Sequence, residues 1–154
     1  MLLIVSYEGE DLMNIEVEVI HEAPSPKEYA ALRKAAGLSP RNEQNAAIAL
    51  KHSIFSVSLR KNGKLVGMGR IIGDHGCFYQ VVDIAVSPDM QGKGLGKIIM
   101  ENLIDYIDNH VPTDAYVSLI ADVPADQLYQ KFDFEYTAPN SVGMYRKNNS
   151  PIGN

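Results

Sequence analysis

Val82-Asp83-Ile84-Ala85-Val86-Ser87-Pro88-Asp89-Met90-Gln91-Gly92-Lys93-Gly94-Leu95-Gly96-Lys97 is the stretch on which the reading of this chain turns. It continues a largely apolar run, residues 78–86, that has the length and composition of a strand and is ended by Pro88. Glycines at 92, 94 and 96 follow, together with apolar residues at 95, 98, 99, 103, 104 and 107, whose spacing lays them along one face of a helix. A glycine-rich loop between a strand and a helix N-terminus leaves backbone N–H groups bare, and the positive end of the helix dipole reinforces them. Lys93 and Lys97 add positive charge there. The natural ligand of such a loop is a pyrophosphate.

Spacing separates this loop from other phosphate binders. A Walker loop needs Gly-x-x-x-x-Gly-Lys-Ser/Thr, which the chain lacks. A dinucleotide fingerprint needs Gly-x-Gly-x-x-Gly in the first strand–helix unit, with an acidic residue about 20 positions on. Gly92-x-Gly94-x-Gly96 has neither that spacing nor that position. Gly67-x-Gly69 lies inside an earlier strand and reads as small residues required for close packing.

Outward from the loop, residues 14–21 alternate polar and apolar, as a half-buried strand does. Ser25-Pro26 then supplies a cap and a proline at the first helical position, and the helix carries Tyr29, Leu32 and Ala36 and stops at Gly37. An alanine-rich helix is expected over 43–51. Strands over 54–59 and 65–72 flank the hairpin turn Lys61-Asn62-Gly63-Lys64, and residues 73–76 form a second turn before the strand at 78–86. Residues 115–121 read as a strand too apolar for a sheet edge. Pro124 opens a short helix bearing Leu128 and Phe132, and two strands over 134–137 and 142–146 close the domain. The expected fold is one α/β (α+β) domain over residues 13–147, with a mixed central sheet of six to seven strands flanked by about four helices. Residues 1–12 read as an extension or arm, with Met1 or Met13 as the start, and 148–154 as a disordered tail.

The chain has 154 residues and a net charge of −5, from 14 Lys and Arg against 19 Asp and Glu. That acidity argues against a general nucleic-acid binder, which needs a basic face. A single cysteine, Cys77, excludes an intramolecular disulfide framework and a multi-cysteine zinc site, and it suits a reducing cytoplasm. Cys77 itself reads as strand packing. A membrane span would need about 20 consecutive apolar residues, and none is present. Leu2-Leu3-Ile4-Val5 lacks a basic preceding region and is soon followed by Glu8, Glu10 and Asp11, so a signal peptide is not expected.

The segment 82–96 resembles the acetyl-CoA signature of the GNAT superfamily of N-acyltransferases, Gln/Arg-x-x-Gly-x-Gly/Ala after an apolar strand. Ala125-Asp126-Gln127-Leu128-Tyr129-Gln130-Lys131-Phe132-Asp133-Phe134 is similar to a second family segment, Ala-x-x-Leu-Tyr-x-Lys-x-Gly-Phe. Asp133 stands where the family usually has glycine, and Asp122 where many members have asparagine near the pantetheine. The resemblance implies a single GNAT-like domain that uses acetyl-CoA as co-substrate and no metal. It implies cofactor contacts at Ile84, Ala85, Val86, Gln91, Gly92, Lys93, Gly94, Leu95, Gly96, Lys97, Asp122 and Tyr129. The strand at 84–86 would splay from its neighbour at 116–121, so that pantetheine pairs with exposed backbone, and N–H groups near Ile84 and Ala85 could polarise the thioester carbonyl.

The same resemblance places at Tyr129 the general acid that protonates the departing thiolate, a role suited to a phenol that keeps its proton at neutral pH. For the base, an ungapped match puts Gln80 where histone-acetylating relatives carry glutamate, and glutamine cannot act so. Asp83 is the best carboxylate candidate, with His75 behind it. The acceptor pocket would draw on Tyr29, Arg70, Phe78, Tyr79, Met144 and Tyr145, an aromatic lining suited to a hydrophobic amine. Residues 118–122 and 141–145 are also similar to a subgroup that includes plant serotonin and lysine acetyltransferases.

The expected activity is transfer of acetyl from acetyl-CoA to the primary amine of a small molecule by direct attack in a ternary complex. A protein lysine or N-terminal acetyltransferase and a non-catalytic acyl-CoA-binding regulator are the alternatives. The expected partner is a small-molecule amine, with neither nucleic acid nor membrane, and homodimerisation is left open.

Overall fold

The computed structural model describes residues 2–8 and 14–148. Met13, and the expected tail from residue 149 onward, lie outside the described residues. Among the described residues six strands form one sheet in chain order: β1 (Leu2–Glu8), β2 (Asn14–Ile20), β3 (Phe55–Lys61), β4 (Lys64–Gly73), β5 (Phe78–Val86) and β6 (Tyr116–Leu119). Neighbours from β1 to β5 are antiparallel, whereas β5 and β6 are parallel and are joined by a crossover through α3 (Leu95–His110). Helices α1 (Pro26–Ala35) and α2 (Glu43–Lys51) cover one face; α3 covers the other, and α4 (Asp126–Gln130) packs beside it. The mixed α/β (α+β) class expected from the sequence is the one observed.

Local chemistry accounts for the elements. Ser25 and Glu28 form a capping box at α1, where the Glu28 amide donates to Ser25 Oγ at 3.2 Å and the Ser25 amide donates to Glu28 Oε2 at 3.1 Å. Asn62 and Gly63 turn the β3–β4 hairpin with φ of 50° and 77°, the left-handed pair that a tight hairpin requires. One oxygen of Asp74 accepts from the amides of Gly76, Cys77 and Phe78 and so fixes the turn into β5.

The apolar stripe of α3 is buried against β3, β4 and β5, with Ile99, Met100 and Leu103 fully enclosed. The helix lies close because β4 carries glycine beneath it. A Cβ on Gly69 would stand 2.6 Å from Ile99 Cγ2, which matches the close-packing reading of Gly67 and Gly69. On the opposite face Tyr29, Leu32, Ala46 and Leu50 pack on Leu65, Met68 and Ala85.

The chain departs from expectation in four places. Residues 2–8, set within an arm by the sequence, form β1 in register with β2 from Leu2↔Ile20 to Glu8↔Asn14. Residues 134–137 and 142–146 are not strands. Thr137 and Ser141 instead bond to each other through backbone and both hydroxyls, and such local bonds compete with ladder pairing. In consequence β6 ends the sheet after all, its outer edge bordered by a groove. Cys77 is exposed in the turn instead of packed.

Candidate active site

The β4–β5 register slips beside Gly69 of β4: Met68 pairs with Ala85 but Arg70 pairs with Val82. Asp83 and Ile84 therefore oppose the single residue Gly69, which is a bulge, and Asp83 takes a φ of 59°. The bulge turns the Asp83 side chain toward α1. There it accepts from the Tyr29 hydroxyl at 2.9 Å, from Arg33 Nη1 and from Arg70 Nε. All three charged side chains are about nine-tenths buried.

Both guanidiniums are further tied to the fold. Arg33 donates to the Ser39 carbonyl at 3.0 and 2.8 Å and to Ser39 Oγ at 3.0 Å. Arg70 donates to the Ala49 carbonyl at 3.2 Å and to Ser53 Oγ at 3.1 Å. Burial, reinforced by the Asp83 charge, pushes the Tyr29 hydroxyl above its ordinary range, so it remains a donor. With both oxygens engaged in this way, Asp83 is suited to anchoring the bulge and not to taking a proton from an amine.

Beyond the bulge the sheet opens. The β5–β6 ladder runs from Phe78↔Tyr116 to Val81↔Leu119 and stops, so residues 82–86 have no ladder partner on that side. The opening forms a cleft of about 900 Å³ lined by Ile84, Gln91, Asp122 and Tyr129 on one side and by Arg33, Ser39 and Arg41 on the other. Gln91 braces its upper end by donating from Nε2 to the Val86 carbonyl at 3.0 Å.

The glycine loop stands beside this opening. Gly92 and Gly94 have φ of 74° and 84°, a conformation that side chains with a Cβ rarely adopt. Gly94 is the N-cap of α3 and supplies no side chain to it, so the first N–H groups of the helix are uncapped by side chains. Gly96 lets α4 approach, since a Cβ there would meet Leu128 Cδ2 at 3.1 Å. Lys93 is half-buried, and Lys97 lies 3.7 Å from Glu101. Left-handed glycines, an uncapped helix start and lysines fit a pyrophosphate.

Tyr129 is half-buried at the floor of the cleft, and burial followed by the charge of Asp122 pushes its hydroxyl upward. Of the residues expected at the acceptor pocket, Arg70, Phe78 and Tyr79 border a second cavity of about 640 Å³ with Gln80 and His52, and Tyr145 borders the main cleft. Tyr29 is buried in the Asp83 cluster, and Met144 is 90% exposed. Arg33 and Arg41 were not anticipated. The signal for Arg33 was available: it falls with Tyr29, Leu32 and Ala36 on the inward face of α1, and a buried charge requires a partner.

The sheet, its splayed strands and the glycine loop define an acyltransferase. The model of the acetyltransferase (GNAT) domain matches residues 22–144, and the chain belongs to that family. An uncharacterised N-acetyltransferase, ycf52, of Porphyra purpurea is 32% identical over 77% of this chain and 69% of its own. A histone acetyltransferase, TAP1, of Glycine max is 30% identical over 75% of this chain and 54% of its own. A Staphylococcus aureus structure described as a probable acetyltransferase of unknown function is 47% identical, with a TM-score of 0.82 over 86% of this chain and 99% of that one.

Proposed function

We propose that this N-acetyltransferase moves the acetyl group of acetyl-CoA to the primary amine of a small molecule by direct attack in a ternary complex. The observation that carries the reading is the end of the β5–β6 ladder at Val81↔Leu119, which opens a cleft between unpaired backbone and Tyr129, next to the glycine loop. Acetyl-CoA supplies the activated thioester. Backbone N–H groups at 92–97, with Lys93 and Lys97, would hold its pyrophosphate, and residues 82–86 would offer an edge to its pantetheine. N–H groups near Ile84 and Ala85 serve the charge that develops on the thioester oxygen.

As the neutral amine nitrogen bonds to the acetyl carbon, the C–S bond breaks, the sulfur takes the Tyr129 proton, and the extra proton on nitrogen leaves to water in the cleft, from which Tyr129 is reprotonated. Tyr129 suits this task because its raised pKa keeps the hydroxyl protonated at neutral pH, so a proton stands ready for the sulfur as the C–S bond breaks. A peptide amine is the second reading, favoured by the similarity to the soybean protein called a histone acetyltransferase.

The test measures the melting temperature with acetyl-CoA, then CoA release with aryl, alkyl, polyamine, amino-acid and lysine-peptide acceptors. Stabilisation by acetyl-CoA is expected, since a ligand of the native state must stabilise it. Tyr129→Phe is expected to lower kcat by about 100-fold or more with little change in KM. Stabilisation without turnover on any acceptor would point to a regulator. A peptide that outperforms every small amine would select the second reading.

A further inference from the structure

The second cavity, of about 640 Å³, lies between the end of α2 and strands β4 to β6. Ile72, Gln80 and Ser118 cross it as one row, since Ile72 pairs with Gln80 and Gln80 with Ser118. Gln80 also borders the cleft, so the two spaces meet there. Arg70 lines the cavity and pairs with Val82, the first residue of β5 beyond the β5–β6 ladder.

The donors of Arg70 are used unevenly. Nε donates to Asp83, and Nη1 donates to the Ala49 carbonyl and to Ser53 Oγ. Nη2 donates to no other described residue, yet it is not among the atoms shielded from water. In a side chain only 11% exposed, that nitrogen opens onto the cavity. Charge points the same way. The guanidiniums of Arg33 and Arg70 share the one carboxylate of Asp83, and all three side chains are about nine-tenths buried. One positive charge is left over where desolvation makes it costly. Among the described residues that line the cavity, no Asp or Glu offsets it. The one free end of a buried guanidinium matches a carboxylate better than a phosphate dianion.

We propose that this cavity takes the acceptor as an α-amino acid with an apolar side chain, its carboxylate bound at Arg70 Nη2. This deepens the acetyltransferase reading above and rests on it. The side chain lies against Ile72 and Phe78, and the amine is left near Gln80, where the cavity opens into the cleft. Adjacent strands lie about 4.8 Å apart, so an anion on Arg70 and a nitrogen over Val82 are as close as an α-amino acid requires. Nothing acidic in the cavity holds the amine as an ammonium, and the leftover positive charge favours the neutral form that attacks. Its extra proton leaves to water in the cleft once nitrogen has bonded to the acetyl carbon, while the sulfur takes that of Tyr129.

The experiment measures kcat/KM for phenylalanine and leucine against their amides, against phenethylamine and isoamylamine, and against O-phosphoethanolamine. Wild type is compared with Arg70→Gln and Gln80→Glu, and the melting-temperature shift with acetyl-CoA is read in parallel for each. Wild type is expected to prefer each amino acid to its amide and its monoamine by about 10-fold to 100-fold, the scale of a hydrogen bond to a charged group. The amides have the less basic amines, so a preference for the acids reports the carboxylate itself. 3-Phenylpropionate, which has the carboxylate and no amine, is expected to compete with phenylalanine. Arg70→Gln should lose both the preference and the inhibition. Because Arg70 also holds Asp83, Gln80→Glu supplies an arm that keeps that pair and places a negative charge in the cavity. There the ratio of amino acid to monoamine should fall about 10-fold or more, whatever the new carboxylate does to the overall rate.

A wild type that takes the amides, the monoamines or O-phosphoethanolamine as well as the amino acids overturns the inference. So does an unchanged ratio in Gln80→Glu, or in an Arg70→Gln that keeps the acetyl-CoA shift; if Arg70→Gln loses that shift, Gln80→Glu alone decides. A wild type that acetyl-CoA stabilises but that acetylates neither amino acid also overturns the inference and leaves the cofactor site standing. A wild type that neither responds to acetyl-CoA nor releases CoA overturns the acetyltransferase reading itself, and this inference with it.

Discussion

Replacement of Asp83 by asparagine separates the two roles open to that residue. In the structure its carboxylate lies among the Arg33 and Arg70 guanidiniums and the Tyr29 hydroxyl, and the side chains of Arg33, Asp83 and Arg70 are 8%, 8% and 11% exposed. Asparagine preserves the shape but removes the charge, and it leaves two buried guanidiniums to face one another. Removing one partner from a buried ion pair costs about 3–5 kcal/mol. At about 2–4 °C per kcal/mol for a chain of this size, Asp83→Asn is expected to lower the melting temperature by about 6–20 °C. Calorimetry and urea unfolding measure the loss, and kcat is taken well below the variant's own transition. The double variant Asp83→Asn/Arg33→Gln should lose less than the two single variants added together, because the guanidinium and the carboxylate leave as a pair. A general base would behave otherwise, with kcat down about 100-fold or more and stability close to wild type. A melting temperature within about 2 °C of wild type, far below the loss the ion pair requires, would refute the anchoring role.

Three further outcomes follow from the packing and the caps. Gly94→Val, at a φ of 84° where valine is strained, should abolish the acetyl-CoA stabilisation measured by thermal melting while the apo protein loses about 1–2 kcal/mol. Gly69→Ala drives a methyl to 2.6 Å from Ile99 Cγ2 and should cost about 1–3 kcal/mol by urea unfolding, with partial recovery in Gly69→Ala/Ile99→Val. Glu28 is held at a pKa of about 2, chiefly by accepting from Arg60. Because the folded state depresses that pKa, its contribution is full above the ordinary glutamate value and fades as pH falls from about 5 to about 2. The side chain is 37% exposed and solvent screens the pair, so Glu28→Gln should cost about 1 kcal/mol or less at pH 7 and progressively less as pH falls toward 2, as read by urea midpoints.

What the sequence reveals divides along the range of the interactions involved. The capping box at Ser25 and Glu28, the Asn62-Gly63 turn and the stripe of α3 are set by residues within a few positions of one another, and each was legible. The glycine loop was legible for the same reason, since its chemistry lies in its own backbone. The surroundings of Asp83 were not legible, because they depend on distant partners. Gly69 opposite sets the bulge, and α1 supplies Tyr29 and Arg33 from about fifty residues away in sequence. The closing strands were misread in the opposite sense: residues 134–137 and 142–146 have strand-like composition, yet the local Thr137–Ser141 bonds take the place of a ladder on β6. That outcome shapes the edge of the sheet. Without a strand against β6 the groove stays open, Tyr136 reaches back ten residues to Asp126, and a motif position that reads as an ordinary helix residue becomes a carboxylate with one oxygen left unpaired. The cofactor side of the site is thus written locally, in glycines. The groove beside β6 is written in long-range geometry, through residues that local patterning does not bring together.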